Sequence, residues 1–401
     1  KRLIMNNRIN QLQNYLFILL GVFVPTSIAV TNFIIGLIAV LWIVDGNFKT
    51  KIRYIIASKW MLSLFGLIFL YVLGMLWGDN HLNAGWQFQR LLLLLLFPIL
   101  ATIKIDQQSI KYAVVAFLFT TFVSGLLAIL VNNHIISPLS EYWSAIRPGE
   151  SGAFIKYNYH NVLLALSFSL ALYLIIENKT KHTAILTLFI LVYALSIFTE
   201  KGRAGQVLFN LSAVFYILYY NKRKVVRSIL FFLLLFGFQF LVYNSSGVYK
   251  SRFDSVSKII QTSGGEKVKD IRYLYAQQAL EKIFERPIFG NGTGSFGAIF
   301  QEEIDDDVKK RYNSSNFAKH ITPHNQYLYV WFEIGIFGLI SLILIFYYQI
   351  KELLKKRDGI HRILLPLSFM FLMIVDSYLF IFTLTITYIF LYTIYNRFEC
   401  E

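Results

Sequence analysis

The stretch QYLYVWFEIGIFGLISLILIFYY, residues 326–348, carries one charge, Glu333, in an otherwise largely apolar run. A helix needs about 20 residues to cross the hydrocarbon core of a bilayer, and there only a helix or a closed barrel satisfies its own backbone. The stretch is therefore read as a membrane span. Similar runs fill the chain on both sides of it: Ile18–Val44, Trp60–Trp77, Leu91–Ile103, Tyr112–Val131, Val162–Ile176, Ala184–Phe198, Val207–Tyr220, Ile229–Tyr243 and Ile363–Tyr395. The first and last of these are too long for one crossing. Pro25 and Thr26 divide the first, and Asp376 and Ser377 divide the last. The expected fold is an all-α polytopic membrane protein with about 12 transmembrane helices.

Composition agrees, since only 15% of the residues are charged and mean hydropathy is +0.55. A soluble domain carries about a quarter charged residues. The basic residues then orient the spans. Lys1, Arg2 and Arg8 precede the first span, and Lys49, Lys51, Arg53 and Lys59 follow the second. Lys104 and Lys111 flank the next such turn, followed by Lys179 and Lys181, then Lys222, Arg223, Lys224 and Arg227. Lys351, Lys355, Lys356, Arg357 and Arg362 complete the set. A twelve-span count puts all of them on one side, which is then cytoplasmic along with both termini. The net charge of +15 is thus a topology signal, and no nucleic-acid partner is expected. No removable signal peptide is expected at the amino end. Cys400, the sole cysteine, falls in the cytoplasmic tail, so no disulfide or thiolate metal site is expected on the outer face.

Three segments follow. Residues 1–243 hold the first nine spans with a short outer loop, 132–159. Residues 244–323 form a large outer loop, and residues 324–401 hold the last three spans. The large loop is expected to contain a helix, because Ile271, Leu274, Tyr275, Ala279 and Ile283 repeat at helical spacing between Asp270, a candidate N-cap, and Pro287. Such a helix would lie along the membrane surface or over a cavity. The glycines of Gly290–Ser295 read as a turn in preference to a phosphate cradle, because no strand precedes them and no Lys-Ser/Thr follows. Glu302, Glu303, Asp305, Asp306 and Asp307 stand just before Lys309, Lys310 and Arg311. They read as a self-neutralising charged face, with no fixed spacing for a metal.

Polar residues meet the apolar runs at selected places. Arg90, His160 with Asn161, Arg203, and His324 with Asn325 each open an even-numbered span. Such spans run from outside to inside, so their helix N-termini share the outer face. Those termini and the arginines favour an anion. Each residue taken singly could equally be an interfacial side chain reaching the headgroups.

Thr322-Pro-His-Asn-Gln-Tyr-Leu328, followed by Glu333-Ile-Gly-Ile-Phe-Gly-Leu339, resembles the signature of the O-antigen ligase and polymerase superfamily. Upstream, Arg272 with Pro287–Gly292 looks like that family's Arg…Pro-x-x-Gly-x-Gly stretch. Lys201-Gly-Arg-Ala204 sits at its Ser-Arg element, with Gly202 in place of Ser. Strong matching covers about a third of the chain, and the first four spans carry no specific motif. The resemblance implies an integral-membrane glycosyltransferase of the C-type fold in the bacterial inner membrane, working on the periplasmic side. Its donor would be an undecaprenyl-diphosphate-linked glycan and its acceptor the lipid A–core oligosaccharide, with inversion and with neither metal nor cofactor.

Carried onto matching positions, the family's functional residues are His324 as catalytic base and Arg203 and Arg272 on the diphosphate. Arg90, His160, Asn325 and Tyr327 are possible further substrate contacts. The chemistry agrees. A diphosphate leaving group needs positive charge, which arginine supplies through paired hydrogen bonds, and an acceptor hydroxyl needs a base. His320 has the weaker claim to that role. Glu333 is expected to be structural and bonded to another helix, with Gly335 and Gly338 permitting close approach. The large loop is expected to carry Arg272 over a cavity shared with Arg203 and His324. An O-antigen polymerase and a protein O-oligosaccharyltransferase are the alternatives within the family. A lipid-linked glycan flippase is the alternative outside it, disfavoured because no internal repeat or pair of broken helices is evident.

Overall fold

The computed structural model describes residues 2–78, 81–137, 149–177, 180–221, 224–251, 253–254, 271–303 and 321–399. Asp270, Asp305–Asp307, Lys309–Arg311, His320, Cys400 and residues 138–148 of the 132–159 loop lie outside the described residues. In chain order the helices are α1 (Arg2–Phe23), α2 (Ile28–Asp45), α3 (Phe48–Ala57), α4 (Lys59–Gly74), α5 (His81–Leu92), α6 (Leu96–Thr102), α7 (Gln107–Asn132), α8 (Tyr157–Ile176), α9 (Thr183–Thr199) and α10 (Arg203–Tyr220). They continue with α11 (Val225–Ser245), α12 (Ile271–Glu285), α13 (Phe296–Glu303), α14 (Gln326–Leu353), α15 (Gly359–Arg362), α16 (Leu364–Val375) and α17 (Phe382–Arg397). One antiparallel hairpin, Ser151–Gly152 with Ile155–Lys156, precedes α8.

The apolar runs of the sequence lie in these helices, and the protein is an all-α membrane protein. Among the described residues, six helices are long and apolar enough to cross a bilayer, and α3 with α4 would make a seventh despite a 94° bend. α9 and the Gly359–Val375 stretch are apolar but shorter. The short run at Leu91–Ile103 gains length upstream, where Asn83–Thr102 forms one helical stretch. Both expected breaks are present: α1 stops at Phe23 before Pro25, and α16 stops at Val375 before Asp376.

The chain divides into two compact units. The first comprises residues 1–37, 105–266 and 397–401, and the second residues 38–104 and 267–396. In the first, α8 is the central element: 78% of its spanning window is buried, against 6% for α11 at the periphery. Helices α7, α9 and α10 pack around it. In the second unit, α14 packs along α4, and α17 is buried from Thr383 to Tyr395. Aromatic edges knit this unit, with Phe97 meeting Trp60, Tyr388 and Tyr392 at centroid distances of 5.3, 5.7 and 5.8 Å.

One irregularity organises the second unit. Inside α14, Ile334 (φ −127°, ψ 16°) and Gly335 (φ 70°, ψ −170°) leave the helical region. The freed carbonyls cannot stay unpaired in a buried setting. The loop after α12 supplies the donors: Asn291 N–H bonds Phe332 O and Gly292 N–H bonds Glu333 O, each at 2.8 Å. In return Ile336 N–H and the Trp331 indole donate to Pro287 O. The same loop closes the end of α4, with Thr293 N–H bonding Gly74 O at 3.0 Å. Close approach explains the glycines, because a Cβ on Gly335 would lie 1.9 Å from Ile288 O and one on Gly292 2.4 Å from the Gly78 Cα.

Gly335→Ala is expected to destabilise the protein by at least about 2 kcal/mol, because its left-handed φ and the clash act together. Thermal inactivation followed by gel filtration of solubilised protein should show a clearly lower midpoint. Gly36→Ala, where a Cβ meets nothing within 4 Å, should leave the midpoint unchanged.

Candidate active site

The second unit holds His324, at the threshold of α14. Asn325 caps the helix, its Oδ1 accepting the Tyr327 and Leu328 N–H groups at 3.0 Å each. Its Nδ2 donates to Ile374 O at 3.2 Å, and the Tyr327 hydroxyl donates to Met370 O at 2.9 Å. Both bonds tie the start of α14 to the end of α16. Asn325 and Tyr327, expected as possible substrate contacts, are thus engaged in fixing the backbone. His324 itself has φ 51°, a left-handed conformation uncommon outside glycine. Strain of this kind clusters at functional sites.

The clamp brings His324 to Asp376, the residue that ends α16. His324 Nδ1 lies 3.0 Å from Asp376 Oδ1, and the Ser377 N–H bonds the same oxygen at 2.7 Å. With Nδ1–H donating to the carboxylate, Nε2 keeps its lone pair and can accept a proton. The His324 side chain is 33% exposed, so a hydroxyl can reach it. The Tyr275 ring of α12 lies 5.8 Å from the imidazole, centroid to centroid. Burial pushes the Tyr275 phenol up to about 12, so it stays protonated at neutral pH and leaves the basic role to the histidine. Arg272 is one helical turn before Tyr275 and exposed. The helix that carries Arg272 therefore rests against the His324 ring.

Deeper in this unit, Glu333 is fully buried and accepts the Gly294 N–H at 2.9 Å. This bond gives Glu333 a structural role. A loop amide is the donor here, because α14 is broken next to it. Tyr71, Tyr329 and the Arg90 charge act on the same carboxylate. The Arg90 guanidinium stacks on the Trp86 ring at 3.1 Å from its centroid. The glycine run at 290–294 is a backbone plug, in accord with its reading as a turn.

The first unit holds His160, Asn161 and Arg203. His160 is fully buried, with Nδ1 at 2.7 Å from Glu200 Oε1 and Nε2 at 2.8 Å from Ser124 Oγ. Ser196 Oγ donates to the same glutamate oxygen at 3.0 Å. Asn161, also fully buried, donates to Ile197 O at 2.8 Å. A histidine with no exposed surface and both ring nitrogens bonded holds structure in this arrangement. What it holds is the turn between α9 and α10. Gln206 Nε2 bonds Glu200 O there at 3.0 Å, and Lys201 pairs with Glu150 at 2.9 Å. This turn presents Arg203, an exposed residue at the first position of α10. Gly202, the departure from the family's Ser, has a packing reason: a Cβ there would lie 2.5 Å from Asn161 Cβ.

Two contributors escaped the sequence reading. Asp376 is a carboxylate inside an apolar run, which in sequence marks only a break. Glu200 directly precedes Lys201 and resembles an ordinary interfacial charge.

Residues 186–343 match the family model described as O-antigen ligase. Over this stretch the chain is similar to the O-antigen ligase family, in line with the resemblance carried by its motifs. An O-antigen ligase of Salmonella typhimurium strain LT2 is 36% identical over 72 residues, which are 18% of this chain and 17% of that protein. The match thus spans less than a fifth of the relative's length. The matched stretch includes Glu200, Arg203, Arg272, the glycine plug, His324 and Glu333, while Asp376 and His160 lie beyond it.

Gly202→Ala is expected to lower the thermal midpoint through the contact with Asn161. Combining it with Asn161→Gly should recover part of the loss. Equal stability of the single variant and the parent would show that α8 and α10 yield freely at this point.

Proposed function

We propose that this protein is a periplasm-facing glycosyltransferase of the O-antigen ligase type in the bacterial inner membrane. It moves a glycan from undecaprenyl diphosphate to a hydroxyl of the lipid A–core oligosaccharide. The observation that carries the reading is the hydrogen bond between Nδ1 of the partly exposed His324 and Asp376, which leaves Nε2 free to act as a base at the head of α14.

In the proposed reaction the acceptor oxygen attacks the anomeric carbon as the carbon–oxygen bond to the diphosphate breaks. A single displacement of this kind inverts the anomeric centre. The hydroxyl proton passes to His324 Nε2, and the rising imidazolium charge is balanced by Asp376, which acts as a positioning residue. The departing diphosphate collects negative charge. Arg272 suits it by its place on α12, one turn from the residue that touches the His324 ring, and Arg203 suits it by its family motif. A guanidinium stays charged and binds two phosphate oxygens at once. The reading thus gives the leaving group's charge to arginine and routes no step through a metal.

His324→Ala should abolish transfer, and Asp376→Asn should slow it by on the order of 10²-fold, with membrane protein levels unchanged. Both are measured by transfer from lipid-linked glycan in vitro. Near-normal transfer by His324→Ala would overturn the assignment. In cells lacking the gene, bare core with accumulated lipid-linked polymer is the expected lipopolysaccharide pattern. Core bearing one repeat unit would mark a polymerase instead.

A further inference from the structure

At the other end of α14, helices α3, α4 and α14 line an open cavity of about 480 Å³. It belongs to the second unit and is about 40 Å of helix away from His324, so it takes no part in the transfer site. Its charge is unbalanced. Lys59, Lys351 and Lys355 line it together with a single carboxylate, Glu352. That carboxylate is already held, accepting the Trp60 indole at 2.9 Å and Asn396 Nδ2 at 2.7 Å. Among the described residues none of the three ammonium groups makes an ion pair. Lys351 lies in the last turn of α14 and Lys355 just beyond its end at Leu353, so two like charges stand on the same side of the cavity.

Two further observations point to an anion at headgroup depth. Ser58 occupies the N-cap position of α4 but makes no capping bond, and its enclosed Oγ has no hydrogen-bond partner. The hydroxyl lines the same cavity beside the first turn of α4, whose N–H groups favour negative charge. The 94° bend lays α3 across the end of α4, with Phe48, Ile52 and Ile56 exposed on it. That is the form of an interfacial helix, and Tyr54, Trp60 and Tyr348 are the aromatic types found at headgroup level.

We propose that this cavity binds a phosphate ester, supplied by an anionic phospholipid headgroup. Lys59, Lys351 and Lys355 would contact its charge, and Ser58 Oγ would donate to a phosphate oxygen. Basic pockets between membrane helices take such headgroups, and the volume suits a glycerophosphate moiety.

The test is lysine acetylation footprinting of the full-length protein in nanodiscs, read residue by residue by peptide mass spectrometry. Discs of phosphatidylcholine alone are compared with discs that also contain phosphatidylglycerol. Lys59, Lys351 and Lys355 are expected to react on the order of fivefold more slowly with the anionic lipid, while Lys49 and Lys104 change little. Inorganic phosphate added to phosphatidylcholine discs forms the second arm. Protection confined to the anionic lipid identifies a headgroup site, and protection by inorganic phosphate identifies the same chemistry supplied from solution. Uniform slowing of all these lysines would mean a diffuse surface potential and overturn the proposal. So would unchanged reactivity of the three in both arms.

Discussion

The second unit depends on the break in α14 and on the backbone bonds that fill it. A span interrupted at Ile334 and Gly335 exposes carbonyls that hydrocarbon cannot satisfy. Here the Phe332 and Glu333 carbonyls receive Asn291 and Gly292 N–H, and the Glu333 side chain receives Gly294 N–H. Three donors within four residues come from one loop whose positive φ values occur at Gly290, Gly292 and Gly294. Alternate left-handed glycines turn the amides of the loop toward α14. A β-carbon at any of the three would strike backbone of α14 or of the 78–84 segment. The Gly-rich run therefore belongs to the span it plugs as much as to the loop that contains it.

The first unit reaches a similar end with side chains in place of backbone. Its turn between α9 and α10 leaves the Ile197 and Glu200 carbonyls to be satisfied. Asn161 and Gln206 donate to them, while His160 fastens the Glu200 side chain. Removing one partner of such a buried ionisable pair is far more damaging than the net strength of the pair suggests, because it strands the other. Small residues at Gly202 and Gly205 let α8 and α10 approach closely, the usual device where lipid offers no hydrophobic drive between helices. Both units thus surround an exposed arginine or histidine with a rigid backbone.

Much of this was legible in the sequence. Hydrophobic runs gave helices because a bilayer admits few alternatives, and Pro25 and Asp376 marked breaks because each interrupts a run too long for one span. Helix α12 was visible in its spacing and in Pro287. The pattern His324–Leu328 announced a functional position but not how it works. Its Asn and Tyr looked like ligands, yet they bond Ile374 and Met370 carbonyls, and those contacts join segments some fifty residues apart. Asp376 stayed hidden for the same reason, since only the return of α16 to the head of α14 reveals its partner. The surroundings of His160 are not legible, because an imidazole beside a span end looks the same in sequence whether it faces solvent or a buried glutamate.

The two departures from regular helix in α14 also explain each other. Residues 325–333 form a short rod, about 13 Å long, bounded by left-handed His324 and left-handed Gly335. The upper end is pinned to α16 by Asn325, Tyr327 and the His324–Asp376 bond. The lower end is pinned by the glycine plug through Asn291, Gly292 and Gly294. A continuous helix would place the rod by the long span below it, and its upper end would follow every tilt of that span. Breaking the helix transfers control of His324 to the plug and α16. The plug begins at Pro287, where α12 has just ended, and Tyr275 of α12 packs on the imidazole. The loop thereby fixes the histidine and the helix bearing Arg272 as one body. The broken helix is the condition that lets one side chain serve both the membrane and the outer loop.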